Sequence, residues 1–245
     1  MNTDVLIIGT GIGGLSTAIK LAEKRPDLAI TVLTKTQEGE SNTRYAQGGV
    51  AAVWDKEVDS FEKHKEDTLD AGDGLCNEDI VDIVVEEGPE RVQEIIDWGV
   101  RFDKDKFEKY DLGREGGHSE SRILHYKDLT GWEIQRALIA KADQSDNVQI
   151  LEHYFAVDLI TQHHLGYIVT RLTPDVECYG AYAFNTRAKS IDTILARATV
   201  VATGGAGQAY RATTNPLIAS GDGIAMVYRA KGWIENMEFV QFHPT

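Results

Sequence analysis

At 245 residues, with 42% hydrophobic and 26% charged side chains, the chain can bury an ample core as one large α/β domain or two small ones. A formal net charge of −14 excludes nucleic acid as the main partner, because phosphate backbones demand clustered Lys and Arg. No apolar run approaches the ~18 residues that a membrane-spanning helix needs, so no membrane association is expected.

The N-terminus enters strand-like sequence almost at once, without a basic region leading into an apolar stretch. No secretory signal is expected, and the expected location is the cytoplasm. Cys76 and Cys178 show neither C-x-x-C pairing nor metal-ligand spacing and read as reduced thiols, so no metal site is expected.

Asp4-Val5-Leu6-Ile7-Ile8 runs into Gly9-Thr10-Gly11-Ile12-Gly13-Gly14, the G-x-G-x-x-G spacing of a buried strand turning sharply into a helix. Gly9 permits the turn, Gly11 lets backbone approach a pyrophosphate, and Gly14 lets the helix pack closely on the strand. The N–H groups at the helix start, with its dipole, then hold the anion. Leu15, Ala18, Ile19 and Ala22 form the helix's apolar stripe, and Ile30-Thr31-Val32-Leu33 supplies the second strand of a βαβ unit. The acidic residue that a nicotinamide site places about 20 positions past the glycines is missing. The second strand ends instead in Thr34-Lys35, which suits a different adenosine arrangement, and Thr43-Arg44-Tyr45-Ala46-Gln47-Gly48-Gly49 follows as a small-residue segment whose glycine pair lets backbone approach a flat or charged ligand.

Ser60 is placed to cap a helix ending at Gly72, and Asn77 to cap one that buries Ile80, Val81, Val84 and Val85. Gly88-Pro89 is expected to break that second helix, with Val92, Ile95 and Ile96 continuing the apolar row to Gly99. His64 falls on the charged side of its helix and reads as solvated. The aperiodic stretch from Asp103 to Tyr126 holds Gly113-Arg114-Glu115-Gly116-Gly117-His118-Ser119 and is either disordered surface or active site. Thr130-Gly131-Trp132-Glu133 reads as a capping box before a helix with Ile134, Leu138, Ile139 and Ala142 as its stripe.

Strand-like runs at Val148 to Leu151, Ala156 to Thr161, Tyr167 to Arg171, Cys178 to Asn185 and Ile191 to Ile194 predict a small antiparallel sheet, with His163-His164 in one of its turns. Ala198-Thr199-Val200-Val201-Ala202 then returns to the first sheet and ends in Thr203-Gly204-Gly205. Ser220-Gly221-Asp222-Gly223 opens a helix with Ile224, Val227, Tyr228 and Ala230 as its stripe.

Together Asp4 to Gly14, Tyr45-Ala46-Gln47-Gly48-Gly49, Glu66-Asp67-Thr68-Leu69-Asp70-Ala71-Gly72, Arg114-Glu115-Gly116-Gly117-His118-Ser119, Ala202-Thr203-Gly204-Gly205, Ser220-Gly221-Asp222-Gly223 and Phe242-His243-Pro244-Thr245 resemble, in order, the flavoprotein family of succinate dehydrogenase, fumarate reductase and L-aspartate oxidase. The resemblance implies an α/β, Rossmann-like FAD-binding domain with a helical insertion and a small antiparallel β-sheet. It implies one domain over 1–245, interrupted by helices and loops at about 55–145 and by the sheet at about 148–196. FAD would be the cofactor, its pyrophosphate on Gly9 to Gly14 and its adenosine near Lys35. The segment Asn42 to Gly49 would run along the flavin, with Thr203, Gly204 and Asp222 completing the cofactor site.

Two positions separate members of the family. Respiratory members carry, directly before the Thr of the Ala-Gln-Gly-Gly segment, a histidine that bonds covalently to the flavin; Asn42 cannot, so non-covalent FAD is implied. They carry an aromatic residue before the Gly-Gly pair, where this chain has Glu115, as aspartate oxidases do after an arginine. A carboxylate there can hold the α-ammonium of aspartate or take its proton. Glu115 and His243 are therefore the expected catalytic residues, His243 donating to a substrate carboxylate. The implied reaction is oxidation of L-aspartate to iminoaspartate with oxygen or fumarate as acceptor, the first step of NAD biosynthesis, with quinolinate synthase as a partner. The rival readings are a soluble fumarate reductase or succinate dehydrogenase flavoprotein, and an incomplete FAD-binding fragment, since the family's capping and helical C-terminal domains do not follow Thr245 here.

Overall fold

The computed structural model describes residues 1–242. In chain order it forms β1 (Asn2–Ile8), α1 (Ile12–Lys24), β2 (Ile30–Thr34), α2 (Asn42–Tyr45), β3 (Val50–Ala51), α3 (Phe61–Ala71), α4 (Glu78–Asp97), β4 (Leu112–Gly113), β5 (Ile123–Leu124) and α5 (Thr130–Ala142). β6 (Val148–Glu152), β7 (Tyr154–Thr161), β8 (Cys178–Asn185), β9 (Ser190–Val201) and α6 (Asp222–Arg229) follow. The chain divides into two compact units, Met1–Asn42 with the residues from Ile139 onward, and Thr43–Leu138.

The first unit is built on a six-stranded sheet in the order β6-β2-β1-β9-β8-β7. Pairings β6–β2, β2–β1 and β1–β9 are parallel, whereas β9–β8 and β8–β7 are antiparallel. β1 alternates as a strand buried on both faces must. Val5 and Ile7 pack with Ala18 and Ala22 of α1 and with Ile30 and Val32 of β2. Leu6 and Ile8 face the opposite way, with Ala181, Ala183 and Ile194 of the antiparallel strands and Met226 of α6. All four residues of the expected α1 stripe are buried.

The run Val148 to Leu151 pairs in parallel with β2 and not within the antiparallel group. Tyr167 to Arg171 is no strand: Gly166, at φ +92°, closes the short 3-10 helix Gln162–Leu165, and Ile168 is left 88% exposed. Ile191 to Ile194 and Val200-Val201 belong to one continuous strand, β9, which holds β8 along its first part and β1 from Leu195 to Val201. On α6 the buried residues are Gly223 and Met226, and Tyr228 of the expected stripe is exposed, because the sheet meets the helix one residue out of the expected register.

In the second unit α3 is capped as the sequence predicts, Ser60 Oγ accepting from Lys63 N at 3.2 Å. Asn77 Oδ1 likewise accepts from Ile80 N at 3.3 Å and starts α4. That helix runs unbroken through Pro89 to Asp97. Gly88 has no Cβ to clash with the proline ring, which removes one part of the usual cost of a proline inside a helix. Only Val85, Val92 and Ile95 of the helix are buried; Ile80 and Val84 are exposed. β3, β5 and β4 form a three-stranded antiparallel sheet, with β4 and β5 inside the stretch without periodicity and β3 well before it.

The expected capping box at Thr130 is absent. Thr130 Oγ1 accepts from Tyr126 N at 3.1 Å, and the fully buried Glu133 carboxylate is committed elsewhere. It accepts from Arg101 N and Nε at 3.1 and 3.0 Å and from Arg136 Nε and Nη2 at 2.7 Å each. Charge-assisted bonds of this kind outcompete an ordinary cap. Burial would raise the Glu133 carboxyl, but the Arg136 and Arg101 hydrogen bonds outweigh it and hold the group at about 2, against 4.5 for an ordinary glutamate. A depressed carboxyl contributes stability that is fully present above 4.5 and is lost as pH falls towards 2. Glu133→Gln should therefore lower the unfolding free energy at pH 7 by up to about 3 kcal/mol in urea titrations and remove part of the acid sensitivity; an unchanged pH profile would contradict this reading.

Candidate functional site

In the first unit the functional segments gather at the carboxyl ends of parallel strands, the edge where open α/β sheets bind ligands. β1 leads into Gly9, β2 into Lys35 and β9 into Thr203. Gly9 takes φ +114°, and a Cβ on it would stand 2.2 Å from the Ala202 carbonyl oxygen. A Cβ on Gly14 would stand 1.9 Å from the Gly9 carbonyl oxygen. Strand, turn, helix and returning strand thus touch backbone to backbone.

Thr10 is buried, Gly13 is exposed, and α1 begins at Ile12 with Gly11 as an extended N-cap that makes no side-chain cap hydrogen bond. Such a helix end is a seat for an anion. Lys35 Nζ donates to Asp222 Oδ2 at 2.5 Å and to Ser220 Oγ at 2.6 Å, joining the end of β2 to the start of α6. That helix can approach because a Cβ on Gly223 would lie 1.9 Å from Thr203 Oγ1. Asn42 Nδ2 lies 3.4 Å from where a Cβ would stand on Gly204. Beside them a cavity of about 1170 Å³ is lined by Thr203, Gly204, Gly223 and Trp233 among others. The glycine cradle, the helix end and the flanking Lys35–Asp222 pair fit a dinucleotide such as FAD.

The second unit holds the other expected residues. Gly131 N donates to the Ala46 carbonyl at 2.9 Å, and a Cβ on Gly131 would stand 1.9 Å from the Thr43 carbonyl oxygen, so α5 seats the segment Thr43 to Gly49 by backbone contact. Arg44, Tyr45, Ala46, Gln47 and Gly48 are exposed, while Gly49 packs on β5, where a Cβ would meet Ile123 Cγ2 at 2.2 Å. Glu115 is exposed, its Oε1 3.3 Å from the place of a Cβ on Gly48. It opens a tight turn, His118 N donating to its carbonyl at 3.2 Å, with Gly117 at φ +85°. Arg114 Nε donates to the His118 carbonyl at 2.7 Å, so Arg114 orders the loop.

His64 is not on a solvated face. It is half-buried, edge-on to His118 with ring centroids 6.4 Å apart, and its Nδ1 has no hydrogen-bond partner among the described residues. Burial, and then the Arg122 charge, lower its pKa, so the ring is neutral at pH 7. His243 lies outside the described residues. Among those residues no group of three or more His, Cys, Asp or Glu is placed to hold a metal, and both cysteines are free thiols.

Three features escaped the sequence reading. The structural roles of Gly131 and Gly223 depend on what lies across from them, although a glycine in the first turn of a helix is a usable hint of close approach. The third is the fully buried Arg122, bonded to Asp59 and Asp67, for which charge pattern offered no signal.

The profile of the FAD binding domain family matches residues 4–245. The chain belongs to that family. This FAD-binding domain is 45% identical over 242 residues to a chloroplastic L-aspartate oxidase of Nicotiana tabacum, covering 99% of the chain and 36% of the relative. It is 47% identical to the L-aspartate oxidase of Yersinia pestis, covering 99% of the chain and 45% of that protein. Among solved structures it superposes on a mutant E. coli quinol fumarate reductase with a TM-score of 0.85 and 31% identity, over 94% of this chain and 37% of the other. The chain thus spans less than half the length of these relatives. No helix among the described residues is long and apolar enough to cross a membrane.

For the FAD-binding domain the cradle makes a direct prediction. Gly14→Ala forces a Cβ into the Gly9 carbonyl, and the purified variant should lose its flavin absorbance on gel filtration; full retention would separate the glycine turn from cofactor binding.

Proposed function

We propose that this chain is the FAD-binding part of an L-aspartate oxidase, oxidising L-aspartate to iminoaspartate and passing electrons to oxygen or fumarate, at the head of NAD biosynthesis. The observation that carries the reading is the Glu115 carboxylate, exposed on an ordered turn and beside Gly48 of the segment assigned to the flavin. The identity to L-aspartate oxidases over 99% of the chain supports it.

FAD, when bound, supplies the acceptor for the hydride from the substrate's Cα. The chain's own residues bind and orient. Gly9 to Gly14 and the α1 N-terminus seat the pyrophosphate through backbone N–H groups. Lys35 would lie near the cofactor's adenosine, and Asn42, Thr203, Gly204 and Asp222 would complete the cofactor site in the first unit. Asn42 has no imidazole nitrogen with which to form a covalent link, so FAD is held non-covalently. Succinate and aspartate share two carboxylates on a four-carbon frame, and only aspartate carries an α-ammonium. Glu115 holds that ammonium or takes its proton, which an aromatic side chain there could not do. His243 donates a hydrogen bond to a substrate carboxylate and lessens charge repulsion during transfer.

Two measurements test the proposal. Acid precipitation should release the flavin into the supernatant, whereas a yellow pellet would mean a covalent bond and overturn the Asn42 assignment. L-aspartate added without oxygen should bleach the flavin band, and Glu115→Gln should reduce kcat/KM for L-aspartate by roughly 100-fold with fumarate reduction little changed. Equal loss of both activities would sink the role of Glu115.

A further inference from the structure

The loop that carries Glu115 contains two glycines facing open space, Gly116 and Gly117, and such a loop has much conformational freedom to lose. What holds it lies one residue past its turn. Asp67, on α3, accepts at one oxygen, Oδ2, from Ser119 N at 2.7 Å, from Ser119 Oγ at 2.9 Å and from Arg122 Nη1 at 2.5 Å. Arg122 is 0% exposed and immediately precedes β5. Its fork is already occupied by Asp59, with Nε to Oδ2 at 2.9 Å and Nη2 to Oδ1 at 2.8 Å.

Asp59 alone neutralises Arg122 in a bidentate pair, so burial of the guanidinium does not require a second carboxylate. Asp67 adds a negative charge, and its hydrogen bonds beyond Arg122 go to Ser119. Burial would raise its carboxyl, but the Ser119 N–H and hydroxyl and the Arg122 guanidinium outweigh that and hold it below the ordinary aspartate range. It therefore stays ionised at neutral pH. From Ser119 the order passes backwards along the chain. The His118 carbonyl accepts from Arg114 Nε, and the His118 N–H closes the turn on Glu115.

We infer that Asp67 is a positioning residue for Glu115: its clamp on Ser119, backed by the buried Arg122, fixes the turn that presents the Glu115 carboxylate to the substrate's ammonium group. The inference rests on the proposed role of Glu115. A rigid helix and a buried cation hold the end of a glycine loop, and a carboxylate that must meet an ammonium group within a fraction of an ångström gains its placement from them.

The test is a double-mutant cycle in the FAD-loaded protein, with amide exchange of the loop as a second readout. Asp67→Ala should lower kcat/KM for L-aspartate by roughly 10- to 100-fold, mainly through KM, with fumarate reduction and flavin retention little changed. Asp67→Ala combined with Glu115→Gln should be no worse than Glu115→Gln alone, because the two act through one contact. Amides 116–119 should exchange faster in Asp67→Ala protein whether or not FAD is bound. If Asp67→Ala does not fold, Ser119→Ala decides, since it removes the two hydroxyl bonds of Ser119, to Asp67 and from Arg122, keeps the Ser119 N–H bond to Asp67, and should give a smaller loss of the same kind. Additive losses, equal loss of both activities, or unchanged loop exchange would overturn the positioning role. If Glu115→Gln itself leaves L-aspartate oxidation intact while Asp67→Ala frees the loop, the role of Glu115 fails and the clamp stands as structure alone.

Discussion

The close approach of Gly9 to the Ala202 carbonyl is the constraint on which the first unit depends. β9 pairs with β1 from Asn2↔Leu195 to Ile8↔Val201, and Ala202 N still donates to the Ile8 carbonyl at 2.8 Å. That register sets two glycine turns side by side at one edge of the sheet. A side chain at Gly9 would push them apart, and one at Gly14 would lift α1 off the strand. The same device recurs at Gly223 against Thr203, which brings α6 close enough for Asp222 to reach Lys35. Each contact removes a Cβ so that backbone dipoles, and not side chains, form the surface offered to a ligand.

The second unit solves its ordering problem differently. Its sheet consists of two-residue strands, too short to fix loops by ladder hydrogen bonds. Two ion clusters centred on buried groups do that work instead, Glu133 with the more exposed Arg101 and Arg136, and Arg122 with Asp59 and Asp67. Buried ion pairs add little net stability over well-packed apolar residues, yet they are costly to break and tolerate few alternative geometries. They suit a region whose task is to hold loops in one arrangement.

What the sequence made legible followed from local physics. The βαβ unit, the α1 stripe and the Ser60 and Asn77 caps all depend on residues close together in the chain, and each stands in the structure, as does the return of a strand near Val200 to β1. The glycine turn and the family segments were enough to point to FAD, and the family match agrees. The misreadings have a common cause. Thr130 and Glu133 have the spacing of a capping box, but arginines at Arg101 and Arg136 claim the carboxylate. Ile80 and Val84 have core periodicity, but nothing among the described residues covers them. His64 has charged neighbours in sequence and His118 as its neighbour in space. In each case the neighbours in space decided the outcome, a partner from elsewhere for Glu133 and His64 and the lack of one among the described residues for Ile80 and Val84, and a single sequence does not reveal them.

The placement of β9 also has a consequence for how the chain is made. β1 ends at Ile8 and its partner β2 begins at Ile30, but the other edge of β1 stays unpaired until β9 emerges, with the whole contiguous unit Thr43–Leu138 translated in between. At ~5–20 residues per second that interval is on the order of ten seconds. For that time Val5 to Ile8, destined for full burial, present an open strand edge of the kind that templates aggregation. The second unit is contiguous, and its own pairing of Val50 with Leu124 can form while the nascent sheet waits. Among the described residues, the strand that closes this edge of β1 is thus the last of the sheet to be made.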